Sequence, residues 1–165
     1  MAALRRPLES LLASGRVQRA NTLARRAPSN WGYAEVAGRF VEILGAARLT
    51  IAAGLVLDAQ RCAETVAWVT APGSIAFPPD LAACGIDLEA LLFVRPDGEE
   101  QALHAIDELL RSGAFGLVIA DGLPARAMGM AAQVRLSGAA QQCDAAFVVL
   151  RDSENGDGAG EGAGS

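Results

Sequence analysis

The chain has 165 residues, 52% apolar and only 5% aromatic, which suits one folded domain packed mainly by Ala, Leu and Val and excludes a disordered chain. All 14 basic residues are Arg, and the net charge of −5 is unevenly spread. Residues 1–27 set six Arg against Glu9, a net +5, so the remainder carries −10, and an acidic body leaves any nucleic-acid contact local and salt-sensitive.

From the N-terminus, Leu4, Leu8, Leu11 and Leu12 recur at helical spacing and predict a short amphipathic helix over about residues 7–26. The arm of residues 1–27 holds Arg5, Arg6, Arg16, Arg19, Arg25 and Arg26, the candidate residues for meeting DNA phosphates or an acidic partner, against the plainer reading of a solvated face. Pro28-Ser29-Asn30 breaks this helix. Trp31 and Tyr33 follow as candidate aromatic anchors for a partner, with packing against the sheet edge as the alternative.

Arg39–Leu44 predicts a strand, ended by Gly45. A helix from about Arg48 to Ala63 comes next, with Ile51, Leu55 and Val56 facing inward. Thr65–Thr70 is the second strand, and Ala71-Pro72-Gly73 turns the chain. Pro78-Pro79 opens a short helix that stops at Gly85, and Leu91–Arg95 is the third strand. Residues 98–112 form a helix in which Glu99, Leu103, Ile106 and Leu110 keep a 4-3-4 spacing, closed by Gly113. Phe115–Asp121 is a buried strand, a helix runs from about Pro124 to Gln142, and Ala145–Leu150 is the fifth strand. Beyond Arg151 only Gly, Ala, polar residues and four acids remain, so 152–165 reads as a disordered acidic tail. The expected organisation is a basic helix and linker over 1–37, a core over 38–151 and this tail. Strands alternating with helices of this length imply an α/β fold, a mainly parallel sheet with helices on both faces.

Cys62, Cys84 and Cys143 lie far apart, with no CxxC pair and a single His, which is neither a disulfide framework nor a zinc site. Unpaired thiols fit a reducing cytosol, so a cytoplasmic protein is expected, without metal or cofactor. His104 shares the polar stripe of its helix with Glu100, Glu108 and Arg111 and has no nucleophile or base in view. The apolar run Leu49–Leu57 is too short to span a bilayer, so no membrane contact is expected. The N-terminus lacks the apolar core of a secretory signal. Its Arg-rich character resembles a transit peptide, but Glu9 and the missing Ser-rich pattern argue against one.

Three segments in order resemble the RecA recombinase family. Gly38-Arg39-Phe40-Val41-Glu42-Ile43-Leu44-Gly45 is similar to the strand entering that family's phosphate loop. Leu91-Leu92-Phe93-Val94-Arg95-Pro96-Asp97-Gly98-Glu99-Glu100-Gln101-Ala102-Leu103 resembles its third strand and following helix. Leu117-Val118-Ile119-Ala120-Asp121 looks like its Walker B strand. The resemblance implies a RecA-like three-layer α/β/α fold with a five-stranded sheet in the order 3-2-4-5-1. It also implies that the family's last three strands and DNA-binding loop are truncated from the C-terminus. The strand 39–44 is then expected at an edge, where Phe40, Val41 and Ile43 are candidates for pairing with a second copy or another RecA-fold protein, unless residues 28–37 cover it.

The departures from the family bear on chemistry. A phosphate loop needs G-x-x-x-x-G-K-[ST], so that backbone N–H groups wrap the phosphates, Lys meets their charge and Ser or Thr holds Mg²⁺. Counted from Gly45, the last three positions are Thr50, Ile51 and Ala52. Aligned on the helix instead, the loop shrinks to Ala46-Ala47-Arg48. Arg48 then stands where a phosphate would meet a helix N-terminus, or as a solvated surface Arg. Pro72 occupies the position of the water-activating Glu, and Asp121 survives alone as a vestigial Walker B residue. Phosphoryl transfer relies on all these parts together, so a pseudoenzyme is expected, with a residual nucleotide-binding protein of the RecA ATPase class as the alternative. The offshoots it resembles are ImuA-type accessory factors of translesion synthesis and SulA-type inhibitors of the division protein FtsZ. The closeness of the central blocks to RecA and the basic arm favour the first, with RecA, a translesion polymerase or DNA as expected partners.

Overall fold

A computed structural model describes residues 31–152 apart from Gly73. The elements are α1 (Tyr33–Val36), β1 (Phe40–Leu44), α2 (Arg48–Arg61), β2 (Val66–Thr70), α3 (Pro78–Ala83), β3 (Leu91–Val94), α4 (Glu99–Ser112), β4 (Leu117–Asp121), α5 (Met130–Gln142) and β5 (Ala146–Arg151). The predicted arm helix and residues 153–165 of the tail lie outside the described residues, whereas Asp152, read as the first residue of the tail, is described. All strand pairs are parallel, in the order β1-β5-β4-β2-β3, which is the expected 3-2-4-5-1 read from the opposite edge.

Composition decides which strands sit in the middle. Val66–Thr70 and Leu117–Asp121 are buried at every position, as is β5 up to Leu150. Such near-continuous apolar runs are tolerated only where a sheet is covered on both faces. In β1 and β3, Glu42, Leu44 and Leu92 are exposed, and these two strands form the edges.

Successive side chains of a strand face opposite layers. Ile43, Val66, Trp68, Leu117, Ile119, Val148 and Leu150 pack with Leu55 and Val56 of α2, Leu81 of α3, and Tyr33 and Val36 of α1. Ala67, Val69, Val118, Ala120, Phe147 and Val149 pack with Ala102, Ile106 and Leu110 of α4 and with Leu136 and Ala140 of α5. The molecule is therefore a three-layer α/β/α fold. Gly113 ends α4 in the left-handed conformation at φ 63°, which its missing Cβ permits.

Four details differ from the sequence reading. Ile51, expected inward, is 38% exposed, because the inner stripe of α2 is Ala52, Leu55, Val56 and Ala59. On α4 the buried stripe is Ala102, Ile106 and Leu110, while Glu99 forms an ion pair with Arg126 (2.8 Å). The helix expected from Pro124 is broken into a 3₁₀ turn, Ala125–Ala127, and α5. Met128 between them is buried in the core and Gly129 is extended, so the chain bends to seat Met128 before the helix begins. The short α1 was not expected. Its start is held by Asp58 of α2, whose carboxylate accepts from the Tyr33 N–H at 2.8 Å. Among the described residues no helix is long and apolar enough to cross a membrane.

Candidate functional site

In an open parallel sheet the natural crevice lies at the carboxyl ends of two neighbouring strands whose following segments leave toward opposite faces. Here those strands are β2, which leads to α3 on one face, and β4, which leads to α5 on the other. Asp121 closes β4 at that point and is 1% exposed. Its Oδ2 accepts a hydrogen bond of 2.6 Å from the Ser74 hydroxyl, and that hydroxyl oxygen accepts from the Ala76 N–H (3.1 Å). The Asp121 carbonyl accepts from the Ala71 N–H at 2.7 Å. The segment after β2 thus lies across the crevice and binds the carboxylate. Burial pushes the Asp121 carboxyl above its ordinary value, opposed by the Ser74 bond, the Arg48 charge and the Trp68 indole.

The connection from β1 to α2 is three residues long. Gly45 takes φ 107°, its N–H donates to the Arg151 carbonyl (3.1 Å), and its carbonyl accepts from the Arg48 N–H (3.2 Å). These bonds fold the loop onto β5. Arg48 is 7% exposed, which corrects its reading as a solvated residue. Its guanidinium makes a two-pronged ion pair with Asp152, with Nη2 donating to Oδ2 at 2.9 Å and Nη1 to Oδ1. The reason is topological. β5 pairs with β1, Leu44 stands opposite Arg151, and Asp152 therefore emerges beside the first turn of α2. Arg151 likewise reaches Glu42 of β1 (2.8 Å). A cleft of about 420 Å³ remains, lined by Arg48, Asp121, Gly122, Pro124, Arg126 and Asp152 among others. Among the described residues no group of three His, Cys, Asp or Glu is placed to hold a metal ion.

Arg5, Arg6, Arg16, Arg19, Arg25 and Arg26 lie outside the described residues, and Trp31, at their border, is 45% exposed. Tyr33 is not a surface anchor: it is buried, and its hydroxyl donates to the Gly116 carbonyl (3.3 Å). Burial, reinforced by Glu64, Asp144 and Cys62, pushes its pKa up to about 12. His104 is exposed beside Glu108 (3.3 Å), and Cys62, Cys84 and Cys143 are unpaired. The structure brings Asp121 and Arg48 to one end of the sheet. Sequence reasoning missed Ser74 and Asp152, the two residues that occupy them. Ser74 carried a faint signal, a hydroxyl in the loop after β2, and Asp152 carried none.

β1 is an edge strand among the described residues. Phe40 is half-buried against Phe147 (ring centroids 5.3 Å apart), Val41 packs on the opposite layer, and Ile43 is buried. These side chains hold the strand to its own core, and what the edge offers is backbone. Phe147 N–H donates to the Arg39 carbonyl and Gly45 N–H to that of Arg151. Alternate residues address the same neighbour, so Arg39, Val41, Ile43 and Gly45 face β5. The N–H and C=O groups of Phe40, Glu42 and Leu44 face outward.

A model of the RecA N-terminal domain matches residues 29–145. Among curated proteins, Protein RecA of Rubrobacter xylanophilus is 40% identical over 91 residues, covering 53% of this chain and 26% of that protein. Protein RecA of a Nocardioides species is 42% identical over 92 residues, with coverage of 53% and 26%. The chain thus spans about a quarter of the length of the curated relatives it matches. Among solved structures, SulA from Pseudomonas aeruginosa superposes with a TM-score of 0.58 at 24% identity, over 69% of this chain and 98% of that one, a likeness of fold.

Proposed function

The chain belongs to the RecA N-terminal domain family, and from that premise we propose that it is a non-catalytic, cytoplasmic accessory protein of the DNA-damage response that acts by binding macromolecules. The observation that carries this reading is the state of the crevice. Asp121 is bound to Ser74, Arg48 is bound to Asp152, and a three-residue loop joins β1 to α2. A site that hydrolyses a nucleotide needs backbone N–H groups, a cation and a metal-holding carboxylate turned toward the phosphates. In this chain Arg48 is paired with Asp152, the Asp121 carboxylate is held by the Ser74 hydroxyl, and the loop N–H groups of Gly45 and Arg48 are spent on backbone carbonyls.

The proposed role is ImuA-like, in translesion synthesis or modulation of RecA. The edge of β1 supplies a surface for a RecA-fold partner or a second copy by strand addition, and the basic arm supplies weak, non-specific DNA affinity. A second reading is a SulA-like inhibitor of cell division, which draws support from the shared fold. Assays with purified RecA, a translesion polymerase and FtsZ separate the two. Capture of RecA or the polymerase with no effect on FtsZ assembly supports the first reading. Inhibition of FtsZ assembly with no capture of the others contradicts it and supports the second.

A further inference from the structure

We propose that the cleft between the β2–α3 loop and the end of β3 is a docking site for an extended peptide carrying a carboxylate next to a large apolar side chain. β3 and β1 are opposite edges of the sheet, so this surface goes beyond the strand-edge partner above and stands without it.

The cleft measures about 370 Å³ and is lined by Pro72, Ser74, Ile75, Phe77, Arg95 and Pro96 among others, with no acidic residue among the described residues of its wall. Ile75 and Phe77 are 68% and 55% exposed, and both lie in the irregular segment that crosses to α3. Two large apolar side chains flanking one cleft have the composition of the apolar part of a binding patch. Arg95 adds the charge. Arg48, Arg111, Arg126, Arg135 and Arg151 each have a carboxylate partner; among the described residues Arg39, Arg61 and Arg95 have none, and of these three Arg95 is the one that lines the cleft.

The guanidinium is also held in place. It lies over the Phe93 ring, 5.2 Å from the centroid, and Phe93 stacks on the buried Trp68 at 6.5 Å and 21°. A cation fixed on a packed aromatic stack loses less freedom when it binds than a free surface Arg does. One guanidinium fork matches one carboxylate. The apolar flanks match an aliphatic or aromatic neighbour on the same strand. The Ser74 hydroxyl, engaged with Asp121 and Ala76, is not available as a further anion donor, which disfavours a phosphate.

The test uses the full chain and the peptide acetyl-Gly-Asp-Leu-Phe-Asp-Gly, with amide shifts followed by NMR. Binding below about millimolar concentration, with shifts confined to residues near Ser74–Phe77 and Val94–Pro96, is the expected result. Replacing both Asp of the peptide by Asn, or Arg95→Gln in the protein, should each weaken binding about tenfold, and Ile75→Ser should weaken it about fivefold. Ile75 and Arg95 make no hydrogen bond or ion pair within the described residues, so both variants should keep the wild-type circular dichroism, and either one suffices as the test. Glu42→Pro should leave the peptide's affinity unchanged. No shifts at millimolar peptide, shifts centred elsewhere, or full affinity retained by either Arg95→Gln or Ile75→Ser would overturn the proposal.

Discussion

The Ser74 hydroxyl donates a 2.6 Å hydrogen bond to the Asp121 carboxylate, joining the loop after β2 to the end of β4. The carboxylate remains 1% exposed and its pKa is raised above 3.8, so ionising it costs the folded state free energy that the Ser74 bond and Arg48 only partly offset.

That imbalance has a sign. A carboxyl whose folded pKa is raised contributes stability that is complete below the unfolded pKa and is lost as pH rises through the folded one. Asn resembles the protonated form. Asp121→Asn should therefore raise the melting temperature at neutral pH, by a margin that shrinks toward zero as pH falls to about 3.8. Calorimetric melts from about pH 3 to about pH 8 read this directly. A variant that is less stable at neutral pH, or a margin independent of pH, contradicts it.

The Arg48–Asp152 pair is asymmetric, with side chains 8% and 75% exposed. Removing the exposed partner strands the buried one. Asp152→Asn should cost about 1–2 kcal/mol, less than a fully buried pair because water screens Asp152. Arg48→Met combined with Asp152→Asn should recover part of that loss, since no unpaired charge remains. Urea melts of the single and double variants give the comparison. A double variant less stable than Asp152→Asn alone contradicts the account.

Strand addition at β1 depends on the outward backbone of Phe40, Glu42 and Leu44. Glu42→Pro removes an outward N–H, and it also removes the ion pair with Arg151, so Glu42→Gln serves as the control. Self-association or RecA capture should be lost in Glu42→Pro and kept in Glu42→Gln, as read by light scattering and pull-down once circular dichroism shows both folded. A wild-type chain that is monomeric and ignores RecA removes the basis for this edge.

The basic arm makes a prediction about salt. If its six Arg meet phosphates, DNA affinity should fall on the order of a thousandfold between about 50 and about 200 mM salt. Deleting residues 1–27 should abolish it. Salt-insensitive binding, or binding that survives the deletion, places the contact elsewhere.

Much of the fold was legible because its signals are local or repetitive. The apolar runs of β2, β4 and β5 announced central strands, and Gly113 announced the end of α4. What escaped depends on neighbours set by topology. Arg48 reads as a surface residue until β5 is placed beside β1 and Asp152 arrives next to it. Tyr33 reads as an anchor until its hydroxyl finds the Gly116 carbonyl, 83 residues away. Asp121 was singled out from its place at the end of an apolar strand, but its partner Ser74 lies 47 residues earlier in an irregular loop that no periodicity marks. Arg95 stood inside the segment most similar to the RecA family, where the likeness drew attention to the strand and helix and away from the cation between them.

The proposed function stands on a crevice that binds no nucleotide. Isothermal titration calorimetry of the full chain with ATP and Mg²⁺ tests it most directly, paired with a phosphate-release assay on the same sample. No measurable heat at micromolar nucleotide and no released phosphate are expected. Micromolar binding that disappears in Asp121→Ala would contradict it, because the carboxylate held by Ser74 would then be serving a bound nucleotide after all.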